Sequence, residues 1–138
     1  MSRENIELVR LAYATLNDTY RSGRIDLAIV EEMWHDDCVL KPAGVLPESR
    51  EMRGHDGVVQ FTTAQMEAFE QMTAEPEDFI DAGDRVIVPF RFGGRGRHTG
   101  IAIGFSVVHV WTLRDGKAAR LDMYATRAEA LEAAGLRE

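Results

Sequence analysis

The chain has 138 residues, of which 45% are hydrophobic and 28% are charged, and its formal net charge is −7. This length suits one domain with a hydrophobic core, and the composition excludes an intrinsically disordered chain. The negative charge argues against a nucleic-acid or anionic-membrane partner, and no apolar run is long enough to span a bilayer. The charged N-terminal segment lacks a signal-peptide core. We therefore expect one cytoplasmic domain over residues 1–138.

The first part of the chain predicts two helices followed by a short strand. The segment "SRENIELVRLAYATLNDTYRSGR" places apolar residues at alternating steps of three and four, the spacing of one helix face. The members of this stripe are Ile6, Val9, Tyr13, Leu16 and Tyr20. Ser2 is the expected N-cap of this helix and Gly23 its expected C-terminal stop. Asp26 would cap a shorter helix, "LAIVEEMW", and Pro42 and Gly44 would end the strand "DDCVLKPAG".

The second part predicts a long helix and then a series of strands. Residues 55–72, "HDGVVQFTTAQMEAFEQM", repeat apolar side chains with a helical period, whereas "VLPESREMRG" before them has no clear period and indicates a loop. The period then becomes two, and "EDFIDAGDRVIVPFRFGG" predicts two strands around the turn "DAGD". Pro89 indicates an edge or a bulge there, because proline cannot donate a ladder hydrogen bond. Two long strands, at about 101–113 and 117–126, and a closing helix in "RAEALEAAGL" follow.

Helices followed by an antiparallel meander are the order of elements in an α+β domain. We expect the N-terminal helices to cover one face of a curved antiparallel sheet. A sheet that is covered in this way forms a cone with a cavity inside. The sequence therefore predicts a hollow domain rather than a solid sandwich.

Five segments resemble successive signatures of the SnoaL-like polyketide cyclase family: "SRENIELVRLAYATLN", "MRGHDGVVQF", "FIDAGDRVIVPFRFGGRGRHTG", "HVWTLRDGKAARLDMY" and "RAEALEAAGL". That family belongs to the nuclear-transport-factor-2-like superfamily, which includes ketosteroid isomerase, and the resemblance covers nearly the whole chain. It implies a cone-shaped, cystatin-like α+β barrel with an apolar pocket, frequent homodimers, and no metal or cofactor. It does not imply one activity, since the superfamily holds isomerases, cyclases, epoxide hydrolases, dehydratases and non-catalytic binding domains.

The catalytic residues of ketosteroid isomerase transfer poorly to this sequence. The general base of that enzyme is an aspartate that precedes a proline, whereas this chain has Lys41 before Pro42. Its oxyanion tyrosine corresponds to Ala12, one residue before Tyr13, and its protonated aspartate corresponds to His109. The resemblance therefore does not imply steroid isomerisation, and it leaves His109 as the one polar group at these three positions.

The neighbours of His109 depend on the turn "RDG" that joins the last two strands. A two-residue turn at Asp115–Gly116 places His109 opposite Asp122, which would hold the imidazole and raise its pKa. A three-residue loop with a bulge places His109 opposite Leu121, as the only ionisable residue on an apolar face. The alternation of apolar and polar residues favours the second register. In both registers His109 points inward.

These patterns define the candidate site. We expect His109 to be the acid–base or oxyanion residue, assisted by Asp122 or Tyr13. The side chains expected to contact the ligand are Leu16, Trp34, Val39, Phe61, Phe69, Phe90, Arg91, Trp111 and Met123. Arg91 could instead form an ion pair with an acid on a neighbouring strand.

The leading hypothesis for function is a cofactor-independent enzyme that transfers protons on a small, largely apolar molecule, as an isomerase, cyclase, dehydratase or hydrolase. The alternative is a non-catalytic ligand-binding module, which the missing isomerase base supports. A dimerisation module is a third possibility if large side chains fill the cavity. No motif indicates a metal site, since Cys38 is the only cysteine and the four histidines are scattered.

A homodimer is the expected assembly. On the outer face of the sheet, Val108, Val110 and Tyr124 would otherwise be exposed to water. The sequence therefore predicts that two copies meet through this face.

Overall fold

The computed structural model describes residues 2–43 and 50–135, which form four helices and seven strands. The helices are α1 (Ser2–Ser22), α2 (Leu27–Met33), α3 (Gly54–Ala68) and α4 (Arg127–Ala133). The strands are β1 (Trp34–Lys41), β2 (Met52–Arg53), β3 (Phe69–Pro76), β4 (Ile80–Ala82), β5 (Arg85–Gly96), β6 (Ala102–Arg114) and β7 (Lys117–Tyr124). The side chain of Ser2 and residues 45–49 of the loop predicted over 45–54 lie outside the described part. The described end of that segment is not all loop, because it contains β2 and the first residue of α3.

All seven strands belong to one sheet, in the order β2-β1-β7-β6-β5-β3, with β4 also paired to β5. The α+β class and the N-terminal helices are confirmed. The sheet is mostly antiparallel, as expected, and departs from that expectation at one pair, because β1 and β7 are parallel. Parallel strands need a long crossover connection, and the part of the chain between β1 and β7 provides it.

The predicted helix ends follow ordinary capping chemistry. Gly23 directly follows α1 with a φ of 72°, and its N–H donates to the carbonyl of Thr19. The Asp26 carboxylate accepts from the backbone N–H groups of Ala28 and Ile29, at 3.0 and 3.3 Å, and so caps α2. Both predictions are confirmed.

The two faces of the sheet bury different clusters. On the face toward α1, α2 and α3, alternate residues of β5 enter the main core: Val86, Val88, Phe90 and Phe92. On the opposite face, Ile87 packs with α4. This alternation is the period of two that the sequence predicts for β5.

The outer face is not open where the sequence predicts exposed apolar residues. Val108 and Val110 are buried, because Ala130 and Leu131 of α4 pack over them, and Tyr124 is half-buried against the same cluster. The expectation that these side chains are exposed is therefore wrong. The homodimer stays a prediction, but exposed apolar residues on this face no longer support it.

The helix predicted over residues 55–72 is too long. α3 ends at Ala68, and the following residues form β3, which pairs with β5. Gln71 has a φ of 54° and lies where the pairing shifts register, between Glu70 and Thr73. This irregularity interrupts the alternation of side chains along β3. Phe69 and Met72 are therefore three residues apart, which is a helical spacing, although the segment is a strand.

Pro89 lies at an interruption of the ladder, as its chemistry requires. β3 ends opposite Phe90 and β4 begins opposite Ile87, so Pro89 faces the gap between these two strands. Its carbonyl accepts from the N–H of Glu77 at 2.8 Å. The missing N–H of proline therefore costs no ladder bond on this side.

Asn17 joins α1 to the free edge of β3. Its amide donates to the carbonyl of Ala74 and accepts from the N–H of Ala74, both at 2.8 Å, and it also contacts the carbonyl of Tyr13 at 3.2 Å. This side chain therefore satisfies edge-strand backbone groups and sets the height of Tyr13 over the sheet.

We expect Asn17→Ala to lower the free energy of unfolding by about 1–3 kcal/mol, because the buried Ala74 would lose partners for both its N–H and its C=O. Urea denaturation measures this loss. The matched control is Asp18→Ala, which removes only an exposed contact with Arg21. Equal losses in the two variants would contradict the proposed docking role of Asn17.

Candidate functional site

The β6–β7 hairpin follows neither predicted register, because His109 pairs with Met123 and not with Asp122 or Leu121. The turn has two residues, Asp115 and Gly116, with φ values of 53° and 77°, as a type I′ turn requires. The ladder then shifts between Thr112 and Leu113, which leaves Ala119 of β7 as an extra residue. The turn is the one in the first alternative, and the bulge lies further along β7.

This bulge separates Asp122 from His109. Asp122 pairs with Val110, whereas His109 pairs with Met123. The Asp122 carboxylate accepts from Arg120 Nε at 2.8 Å instead of contacting the imidazole. The predicted His109–Asp122 pair is therefore wrong, because one extra residue moves every later side chain of a strand to the other face.

The inner face of the hairpin matches the alternation expected from the sequence. Val107, His109 and Trp111 of β6 face the helices, together with Leu121 and Met123 of β7. His109 is only 5% exposed. The prediction that His109 points inward is confirmed.

Tyr13 of α1 links His109 and Trp111 in one hydrogen-bond chain. Trp111 Nε1 can only donate, and Tyr13 Oη accepts from it at 2.9 Å. The one hydrogen of the Tyr13 hydroxyl is then available for His109 Nδ1, which lies 2.6 Å away. A neutral imidazole that accepts at Nδ1 carries its hydrogen on Nε2. The chain therefore assigns the Nε2–H tautomer to His109.

Burial keeps both partners neutral. Desolvation lowers the pKa of His109 to about 3, because the imidazolium would lose its hydration. Burial also raises the pKa of the Tyr13 hydroxyl far above its ordinary value, although the hydrogen bond from Trp111 acts in the opposite direction. Phe90 stacks on the imidazole, with ring centroids 4.5 Å apart. At neutral pH the site therefore holds an imidazole and a phenol.

A cavity of about 120 Å³ lies between the three N-terminal helices and the inner face of the sheet. None of the described residues that line it is charged. No described residue bonds to His109 Nε2, and no buried polar side-chain atom of the described part lacks a partner. Nε2 must therefore be accessible from the cavity. Its N–H is a hydrogen-bond donor that a ligand can reach.

Most of the predicted ligand contacts line this cavity. They are Leu16, Trp34, Phe61, Phe90, Trp111 and Met123. Trp34, Trp111 and Met123 leave the cavity open, so the filling that would favour a purely structural dimerisation module is absent from the described region.

Three predicted contacts do not line the cavity. Val39 lies between Cys38 and Leu40 on β1, and Leu40 takes the inner position. Arg91 follows Phe90 on β5, and its side chain is exposed, since successive side chains of a strand alternate between faces. Phe69 packs edge-on against Phe92 outside the lining, with centroids 5.5 Å apart.

Sequence reasoning missed a second polar pair in the same cavity. Tyr20 of α1 and Gln65 of α3 both line it, and Tyr20 Oη donates to Gln65 Oε1 at 3.0 Å. The available signal was a polar residue at an inner position of the helical pattern, namely Gln65 in the segment after residue 55. Sequence reasoning also predicted Trp111 only as a ligand contact, and it missed the hydrogen bond that Trp111 donates to Tyr13.

The family is decided by comparison of the sequence with protein-family models. The model of the SnoaL-like domain matches residues 9–121. The chain belongs to this family. The resemblance found in the sequence is thereby confirmed, and so is the fold that it implies. Comparison with curated proteins gives no match for this SnoaL-like chain.

Solved structures share the fold over nearly their whole length. TerC, co-crystallised with polyporic acid, is 26% identical over 96% of this chain and 98% of its own, with a TM-score of 0.73. An NTF2-like protein from Burkholderia xenovorans LB400 is 22% identical over 90% of each chain, with a TM-score of 0.73. A protein with a ketosteroid isomerase-like fold from Catenulispora acidiphila DSM 44928, in complex with trimethylamine, is 15% identical over 95% of this chain and 94% of its own, with a TM-score of 0.72.

Two further properties concern only residues 2–43 and 50–135. No helix there combines the length and the apolar character that a bilayer span requires. No three His, Cys, Asp or Glu side chains in these ranges converge in a way that could hold a metal ion. The cytoplasmic location and the absence of a cofactor stay predictions.

Proposed function

We propose that this SnoaL-like domain binds a small, uncharged, largely apolar molecule, and that His109 Nε2–H donates a hydrogen bond to an oxygen of that molecule. The observation that carries this proposal is the hydrogen-bond chain from Trp111 through Tyr13 to His109, which leaves Nε2–H as a free donor in a largely apolar cavity. Small-molecule complexes of TerC and of the Catenulispora protein support the same use of the fold.

The environment of His109 suits a neutral donor. A carbonyl oxygen in this cavity would meet no competing charge from the described lining residues. Because the imidazole is held by Tyr13 and stacked on Phe90, it need not reorganise when a ligand arrives. Such a donor orients the carbonyl and stabilises negative charge that develops on its oxygen.

A proton-transfer enzyme is the second candidate, since two titratable groups, Tyr13 Oη and His109 Nδ1, lie 2.6 Å apart in the cavity, although this contact favours the tautomer that cannot accept a proton at Nε2. If His109 is to accept a proton at Nε2, its own hydrogen must first move to Nδ1. Tyr13 Oη would then accept from both His109 and Trp111, and its own hydrogen would lose its partner. That loss costs about 1–3 kcal/mol, so the basic tautomer would be the minor one. Isomerase, cyclase, dehydratase or hydrolase chemistry would proceed through this form.

Acetophenone tests the binding proposal, because it joins one carbonyl to an apolar ring. We expect His109→Phe to weaken its binding about tenfold in calorimetric titration, since a buried hydrogen bond contributes about 1 kcal/mol or more. Ethylbenzene is the matched probe without an oxygen, and its binding should not weaken in the variant. Equal acetophenone affinity in both proteins would contradict the assigned role of His109.

The same probe separates binding from catalysis. An enzyme that removes a proton next to the carbonyl exchanges the methyl hydrogens of acetophenone for deuterium in D₂O. Exchange that depends on wild-type protein and disappears in His109→Phe would establish the second candidate. Binding without exchange would favour the non-catalytic module.

A further inference from the structure

Helix α1 carries two tyrosines that serve the same cavity in the same way. Tyr13 and Tyr20 are seven residues apart, which is about two turns or 10.5 Å along a helix. Tyr13 Oη contacts His109, and Tyr20 Oη contacts Gln65. Each tyrosine therefore orients one polar side chain that lines the cavity.

Gln65 has unused hydrogen-bond donors. Its Oε1 accepts from Tyr20 Oη, and no described residue accepts from its amide nitrogen. No buried polar side-chain atom of the described part is without a partner, so this nitrogen must be accessible. The backbone of Gln65 is also held, because its carbonyl accepts from the N–H of Phe69 at the end of α3. The amide therefore lines the cavity, is held at Oε1 by Tyr20, and has donor hydrogens that no described residue uses.

An apolar floor separates the two polar side chains. Phe90 stacks on His109, and Phe92 packs edge-on against Tyr20, with centroids 6.4 Å apart. Phe90 and Phe92 are alternate residues of β5, so they stand about 6.6 Å apart along the strand. His109 contacts Phe90, whereas Gln65 is bonded to Tyr20, which contacts Phe92, so the two donors lie toward different ends of this apolar floor.

We propose that Gln65 is a second ligand-binding residue, which donates its amide hydrogens to a second oxygen of the ligand. The ligand class that fits both donors is an apolar compound with an acceptor oxygen at each end, such as a dicarbonyl compound built on one ring. Tyr20 is the positioning residue, because it occupies Oε1 and so directs the nitrogen toward the ligand. This inference rests on the proposed role of His109.

Two probes test the inference: acetophenone, and 1,4-diacetylbenzene, which adds a second carbonyl at the far side of the ring. We expect the second carbonyl to raise wild-type affinity about fivefold to tenfold, as one added hydrogen bond allows. In Gln65→Leu the two probes should bind with equal affinity, because the partner of the second carbonyl is gone. Gln60→Leu is the matched control, because Gln60 is an exposed glutamine of α3 that does not line the cavity.

Each outcome separates the two proposals. If acetophenone binding depends on His109 but the second carbonyl adds nothing, or adds as much in Gln65→Leu as in wild type, the role of Gln65 is overturned and the proposed function stands. If neither probe binds, or His109→Phe has no effect, both proposals fail. If Gln65→Leu does not fold, the NMR resonance of the Gln65 side-chain amide in the wild-type protein replaces it as the test. This resonance should shift when 1,4-diacetylbenzene binds and should not shift when acetophenone binds. The absence of that difference overturns the inference.

Discussion

The Tyr13→Phe substitution is expected to lower the free energy of unfolding by about 2–5 kcal/mol, since each buried polar group left without a partner costs about 1–3 kcal/mol. The variant keeps the aromatic ring and its contacts with Phe90 and Trp111. It removes only the oxygen, which is the sole described partner of both His109 Nδ1 and Trp111 Nε1. Two buried nitrogens would therefore lose their hydrogen bonds at once.

Urea denaturation of wild type and variant measures the loss. Tyr20→Phe is the matched control: it deletes the same atom from the same helix, but that hydroxyl makes one bond, to a half-buried Gln65. We expect a loss of about 1 kcal/mol for this control. If Tyr13→Phe cost no more than Tyr20→Phe, the hydrogen-bond chain would not contribute to stability as argued.

A double-mutant cycle of Tyr13→Phe and Trp111→Phe tests whether the hydrogen bonds among Trp111, Tyr13 and His109 act as a unit. Either single variant breaks the bond between Trp111 Nε1 and Tyr13 Oη. The double variant should therefore lose less stability than the sum of the two singles. Additive losses would indicate two independent effects.

The second large effect is a loss of stability in acid that is due to His109. The pKa of His109 is about 3 in the folded protein, whereas an unperturbed histidine has a pKa of about 6.5. Between these values the unfolded chain binds a proton that the folded chain does not, so acid favours unfolding. The stabilising contribution is complete above pH 6.5 and is lost progressively as the pH falls toward 3. Each pH unit within this window removes up to about 1.4 kcal/mol.

The measurement is the free energy of unfolding at pH 7 and at pH 4.5 in wild type, His109→Phe and His98→Gln. His98 is an exposed residue beyond the end of β5, so its variant controls for the loss of a histidine. We expect His109→Phe to lose about 2–3 kcal/mol less than wild type over this interval, and His98→Gln to follow wild type. Identical pH dependence in all three proteins would show that His109 is not held neutral by burial.

The sequence alone determined the order of the four helices and of strands β1 and β4–β7, together with much of the inner face. The period of two placed Val107, His109 and Trp111 on one face of β6, and the alternation of apolar and polar residues in the next strand identified that face as the inner one. The helical stripe that contains Tyr13 and Tyr20 identified the face of α1 that packs on the sheet, because the helical period is 3.6. These periods are local properties, so a single sequence carries them.

The tertiary structure decided which of those side chains meet. Because of the bulge at Ala119, Asp122 does not lie opposite His109. The end of a predicted helix is strand β3, which has an irregular pairing at Gln71. A bulge is set by the pairing of two strands, so the residues of one strand do not reveal it. The bond between Tyr13 and His109 joins residues 96 positions apart, and it forms because α1 packs over the inner face of the sheet. The candidate site therefore arises from contacts between elements, which periodicity does not encode.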